Sequence, residues 1–151
     1  MKKIKIFSPA TVSNVACGFD ILGFPIESFG DEMVISKSDK KGVRITKVEG
    51  YPVPIDSKKN VASVSAQKLI NDLKPSCGFE IEIKKNIIPG SGIGSSGSNA
   101  AGSVYGINKL LGEPLTLKQL IKYAMSGEAA SSLTEHPDNV APALLGGLVM
   151  V

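Results

Sequence analysis

The sequence predicts an α+β domain. Apolar–polar alternation, which marks strands with one buried face, is concentrated in the N-terminal part, and apolar residues at helical spacing follow later. Phe79-Glu80-Ile81-Glu82-Ile83-Lys84 alternates with charges, as a strand with one wet face in an antiparallel sheet does. Hydrophobic residues make up 42% of the 151, enough for a packed core and against disorder.

In order, Lys3 to Ser8 alternates and predicts a strand, followed by a loop from Pro9 to Asp20. Ile21 to Ile26 reads as a buried strand. Glu32–Ser36 and Val43–Val48 read as a pair of strands around a turn near Asp39–Gly42. Tyr51 to Asn60 carries two prolines and connects. Val61, Val64, Ala66, Leu69, Ile70 and Leu73 form one helical stripe, stopped by Pro75. The strand Phe79–Lys84 runs into a glycine-rich stretch and then a helix from about Ser95 to Leu111, ended by Gly112. Thr116-Leu117-Lys118-Gln119 fits a capping box and opens another helix through Met125. Small residues dominate from Gly127 to Ser132, and Leu144 to Val151 is apolar and strand-like.

The stretch Pro89-Gly90-Ser91-Gly92-Ile93-Gly94-Ser95-Ser96-Gly97-Ser98 holds four glycines and four serines in ten residues. Glycine lets the backbone turn tightly against a ligand. A helix start supplies unpaired N–H groups and the positive end of a dipole, so the combination suits phosphate. A P-loop would need a lysine after its last glycine, and none lies between Pro89 and Asn108. A dinucleotide fingerprint matches at Gly92, Gly94 and Gly97. That fold, however, needs a buried parallel strand before the loop and a strand after the helix, whereas a second helix follows here.

The same residues resemble the signature loop of the GHMP kinases, Pro-x-Gly-x-Gly-Leu-Gly-Ser-Ser-Ala. Pro9-Ala10-Thr11-Val12-Ser13-Asn14-Val15-Ala16-Cys17-Gly18-Phe19-Asp20 and the block His136-Pro137-Asp138-Asn139-Val140-Ala141-Pro142 resemble segments of the homoserine kinases within that superfamily. The resemblance spans nearly the whole chain and about the N-terminal half of such a kinase. It implies the GHMP N-terminal fold (ribosomal protein S5 domain 2-like), a mixed, mostly antiparallel sheet with helices packed on it. Residues 1–151 would be the ATP-binding domain, with the C-terminal domain absent.

By that resemblance the activity is ATP-dependent, Mg²⁺-assisted phosphorylation of the L-homoserine hydroxyl on the path to threonine. Mevalonate-type kinase activity and nucleotide binding without turnover are the alternatives. Pro89, Gly90, Ser91, Gly92, Ile93, Gly94, Ser95 and Ser96 would wrap the ATP phosphates, and Ser96 with Glu128 would hold Mg²⁺; Ser96 also suits a helix N-cap. Glu128 is the sole acid in a run of small residues. Asn14, Asp20 and His136, the only histidine, would bind substrate. Asn139 would orient the reacting hydroxyl, with Asp138 a second catalytic candidate; both also suit helix N-caps. Asn60 reads first as an N-cap, and by resemblance also approaches the adenine.

Gly97 replaces the family's alanine, and Ala16 stands where a glycine would allow positive φ. Arginines for the substrate carboxylate would come from the C-terminal half, since Arg44 is the chain's only one. The net charge of +3 suits an anionic ligand but is too small and scattered for nucleic acid. Cys17 and Cys77 form no CxxC and read as buried thiols. No apolar run reaches membrane-spanning length, and a cytoplasmic protein is expected. The apolar edge ending at Val151 predicts association through unpaired strand edges, hence a homodimer.

Overall fold

The computed structural model describes residues 1–13, 15–131 and 137–151, without the side chains of residues 128–131. Alternation builds the sheet. Strands β1 (Lys3–Val12), β2 (Leu22–Ser38), β3 (Val43–Gly50) and β4 (Gly78–Lys85) line up in the order β1-β2-β4-β3. The β1–β2 and β2–β4 pairs are antiparallel, and β4–β3 is parallel. The predicted α+β class with a mixed, mostly antiparallel sheet is what forms.

One face of each strand is apolar, and the helices cover it. Ile6, Met33, Ile35, Phe79, Ile81 and Ile83 are buried on that face. Against them pack α1 (Val61–Leu73) through Ala66 and Leu69, α2 (Ser95–Leu110) through Val104 and Ile107, and α3 (Leu117–Ser131) through Leu120 and Ala124. The opposite face is wet and charged: Glu32 lies 2.5 Å from Lys5 and 3.3 Å from Lys84. These lysines hold the Glu32 carboxyl below the usual carboxylate range, chiefly by hydrogen bonding.

Two helix starts form as the sequence predicts. Asn60 caps α1, its Oδ1 accepting from Ala62 N–H at 3.0 Å. The capping box opens α3: Thr116 N–H donates to Gln119 Oε1 at 2.9 Å, and Gln119 N–H donates to Thr116 Oγ1 at 3.4 Å.

Other expectations are corrected. Residues 22–26 and 32–36 are parts of one strand, β2, because its pairing with β1 continues past a register shift at Pro9/Ala10, and Ile21 lies in the turn before it. β2 and β3 flank the turn at 39–42 without pairing as a hairpin; β4 inserts between them after the α1 crossover. The strand before the glycine-rich stretch therefore has one antiparallel and one parallel neighbour.

The segment 144–151 is not one strand. Leu144 and Leu145 end a helix, α4 (Pro137–Leu145), and only β5 (Val149–Met150) pairs, with Leu22–Gly23 of β2. Proline at the first helical position and an acid in the first turn start α4. Gly146, at φ +72°, stops it, donating to the Pro142 carbonyl at 2.9 Å. Asp138 and Asn139 are thus second and third residues of the helix, not its N-cap. Cys17 is exposed on a 3-10 turn (Ala16–Gly18) and Cys77 is half-buried, so neither is the core thiol expected.

Candidate active site

The glycine-rich loop joins β4 to α2. Gly90, Gly92 and Gly94 all take positive φ (77°, 78° and 65°), a conformation in which glycine carries no Cβ penalty. A Cβ on Gly90 or Gly92 would meet nothing within 4 Å, so that side of the loop is open. Gly94 holds the N-cap position of α2, and no side chain caps the helix. The first-turn N–H groups of α2 are therefore without a side-chain cap among the described residues. Ser96, expected as a cap, lies one turn-position inside the helix and lines a cleft instead.

Gly94 marks the point where three elements meet. A Cβ there would lie 1.9 Å from Thr11 Oγ1 and 2.7 Å from Asn139 Oδ1. Thr11, at the end of β1, donates its backbone N–H to the Ile93 carbonyl at 3.1 Å and its hydroxyl to Asn139 Oδ1 at 2.8 Å. Asn139 Nδ2 donates to Ser13 Oγ at 2.9 Å and to Asp138 Oδ2 at 3.3 Å. Asp138 is buried. Asn139 is thus held in one orientation beside the loop, as a positioning group must be.

Of the other predicted residues, Asp20 is exposed on the turn after Gly18 at φ +58° and makes no side-chain bond to this cluster. Ala16 does take positive φ, 43°, despite its Cβ. Asn14 and His136 lie outside the described residues, as does the side chain of Glu128, whose backbone belongs to α3. α3 is tied to α1 one turn earlier, where Ser65 Oγ donates to the Ala124 carbonyl at 3.1 Å.

On the far side of the loop lies a cleft of about 230 Å³. Exposed Pro52, Pro54 and Pro89 form its rim; buried Asn60, Lys85, Ser95 and Asn99 form its floor. Lys85 pairs with buried Asp31 and donates to the Ser95 carbonyl at 3.2 Å. Burial pushes the Lys85 ammonium below the usual lysine range, against the raising influence of Asp31. Asp31 Oδ1 also accepts from the N–H groups of Asn86 at 2.7 Å and Ile87 at 2.9 Å. The pair ties the start of the glycine-rich loop to β2 and to α2.

Thr11, Ser13, Asp31, Lys85 and Asn99 are the site's neighbours that sequence reasoning did not single out. For Asp31 and Lys85 the signal was available. Period two places Asp31 on the face of Met33 and Ile35, and Lys85 on the face of Phe79, Ile81 and Ile83.

A family model described as the GHMP kinases N terminal domain matches residues 60–147, which covers the loop, α2, α3 and the Asn139 helix. The chain belongs to the GHMP kinases. This GHMP kinase domain is 40% identical to homoserine kinase of Xylella fastidiosa over 97% of its length and 46% of that protein. It is 41% identical to homoserine kinase of Methanococcus vannielii over 99% of its length and 50% of that protein. A crystal structure of homoserine kinase from Cytophaga hutchinsonii superimposes with a TM-score of 0.95 at 46% identity, covering all of this chain and 49% of that one. Mevalonate kinase of Methanococcus jannaschii superimposes at 0.75 with 15% identity, a likeness of fold alone. The GHMP kinase domain spans about half the length of the curated relatives it matches.

Proposed function

We propose that the protein carrying this domain transfers the γ-phosphoryl group of ATP to the side-chain hydroxyl of L-homoserine. The observation that carries the reading is the contact between the two halves of the chemistry: the last glycine of the phosphate loop abuts the Asn139 amide, with Thr11 bonded to both sides. Relatives named homoserine kinase at about 40% identity support the choice of acceptor.

Phosphoryl transfer demands positioning and charge neutralisation more than covalent help. The open side of the loop and the first turn of α2 hold the phosphates through backbone N–H groups. Ser96 offers an oxygen in the cleft, the ligand type Mg²⁺ takes, and Glu128 supplies the carboxylate. Held by these two residues, Mg²⁺ would supply positive charge against that of the phosphates. Asn139 orients the hydroxyl for in-line attack. An amide cannot take a proton, so the hydroxyl proton leaves with the transferred phosphoryl oxygen. Asp138 holds the Asn139 amide by its Oδ2. In this reading Asn14, Asp20 and His136 bind the amino-acid substrate, as the resemblance of their segments to the homoserine kinases implies.

The test is ATP consumption at saturating Mg²⁺ with L-homoserine, L-serine and mevalonate in parallel, on the whole gene product. Turnover with homoserine alone is the expected result. Mevalonate turnover would transfer the assignment to that branch, and nucleotide binding without any turnover would reduce the domain to a binding module. Asn139→Ala should lower kcat by about 10²-fold or more, a scale set by loss of orientation.

A further inference from the structure

The glycine-rich loop is exposed only in its middle. Residues 88–92 face solvent, while its two ends, Asn86–Ile87 and Ile93–Ser95, are half-buried or buried. A Cβ on Gly90 or Gly92 would meet nothing, so no packing fixes the exposed span from that side. Such a span takes its path from its ends. What holds the ends decides where the loop's N–H groups point.

One buried pair holds both ends. At the start, Asp31 Oδ1 accepts from the N–H groups of Asn86 at 2.7 Å and Ile87 at 2.9 Å. Asn86 Nδ2 donates to the Gly30 carbonyl at 2.9 Å. At the far end, Lys85 Nζ donates to the carbonyl of Ser95, the first residue of α2, at 3.2 Å. Thr11 N–H adds a hold at Ile93. Asp31 Oδ2 accepts from the Lys85 ammonium and so joins the two clamps. With side chains 1% and 0% exposed, Lys85 and Asp31 are turned to protein atoms. Lys85 is thus unlike the lysine of a P-loop, which reaches the phosphates themselves.

A buried ion pair is weak evidence for stability, since well-packed apolar residues of like volume often serve as well. An apolar pair could fill this space, but it could not hold two N–H groups and a carbonyl in fixed directions. A site ordered before its ligand arrives lowers the cost of binding. We infer that Asp31 and Lys85 are positioning residues: they hold the unliganded glycine-rich loop in the conformation that receives a nucleotide's phosphates, and raise nucleotide affinity without touching the nucleotide. The inference rests on the ATP reading above and adds what prepares the loop for it.

The experiment compares the whole gene product with Lys85→Met and with the double variant Lys85→Met, Asp31→Asn. The second substitution removes the stranded charge and keeps an oxygen for the Asn86 and Ile87 N–H groups, so the Ser95 clamp alone stays broken. Each protein is unfolded in urea, and its affinities for a non-hydrolysable ATP analogue and, separately, for L-homoserine are measured calorimetrically. The double variant should regain part of the urea midpoint yet bind the analogue about tenfold more weakly than the native protein, the scale of one charge-assisted hydrogen bond. Its affinity for homoserine should match the native value. Analogue affinity that returns together with the midpoint overturns the inference, because the pair then serves the fold alone. So does an equal loss for both ligands. Residue-resolved hydrogen exchange on the native, nucleotide-free protein decides the matter even where neither variant folds. The Asn86 and Ile87 amides should exchange about a hundredfold more slowly than those of Gly90 and Gly92, as pinned ends around a free span require; equal rates overturn the inference. A native protein that binds no analogue would defeat the ATP reading itself, a separate and recognisable outcome.

Discussion

Lys85 and Asp31 show how much one buried pair is asked to do. Removing the lysine strands a carboxylate at a site with no solvent, and breaking a buried pair in this way costs about 3–5 kcal/mol. Lys85→Met should therefore lower the urea midpoint strongly, and Asp31→Asn on top of it should recover part of the loss. The pH dependence has a defined sign. Burial lowers the Lys85 pKa below 10.5, so in the window between its native value and 10.5 the unfolded chain binds a proton that the native protein has released. Stability rises with pH across that window, and Lys85→Met should flatten this slope in urea titrations at successive alkaline pH values. The pair was legible in strand parity alone. Thr11 and Ser13 were less so, because the period that exposes a strand residue says nothing about which loop it will touch. Asp20 and Asn139 illustrate the same limit: both stand in family-like segments, yet only Asn139 is drawn into a hydrogen-bonded cluster among the described residues.

At the level of elements, α4 carries Asn139, and its seat depends on Gly23. A Cβ at Gly23 would lie 2.1 Å from the Asp138 carbonyl oxygen, a backbone atom that cannot swing away. Gly23→Ala should cost about 1–3 kcal/mol by overpacking and should shift Asn139, lowering kcat by more than the loss of folded protein accounts for. An unchanged kcat per folded molecule would dissociate the two. The helices with clean stripes and caps, α1 and α3, follow from sequence because local signals agree. α4 does not, because Pro142 and two trailing glycines break the pattern within a short apolar run. Yet Val140, Ala141 and Leu144 are spaced as one buried helical face. The parallel β3–β4 pair was equally hidden, since alternation reports which face is buried and not which strand lies alongside.

Across the whole molecule, charge and apolarity separate. The outer face of the sheet carries the Lys5–Glu32–Lys84 network, while apolar side chains gather where β5 meets β2. Ile21, Leu148 and Met150 are exposed there by 48%, 69% and 77%. Contiguous exposed apolar surface drives association. Light scattering of the 151-residue chain should therefore show mass rising with concentration, and the double substitution Leu148→Lys, Met150→Lys should suppress the rise. A monomer at all concentrations would contradict it.

Thr11 has a consequence for how two ligands are felt. Its N–H steadies Ile93 in the glycine-rich loop, proposed to hold phosphate, and its hydroxyl steadies Asn139 on the proposed acceptor side. A ligand that orders one side has already met part of the ordering cost of the other, and linkage requires the benefit to be equal in both directions. Thr11→Val keeps the shape and the backbone bond but removes the hydroxyl. The gain in homoserine affinity brought by a non-hydrolysable ATP analogue, measured calorimetrically, should shrink in that variant, and the gain in analogue affinity brought by homoserine should shrink by the same factor. Native synergy between the two substrates would then be a property of one threonine side chain.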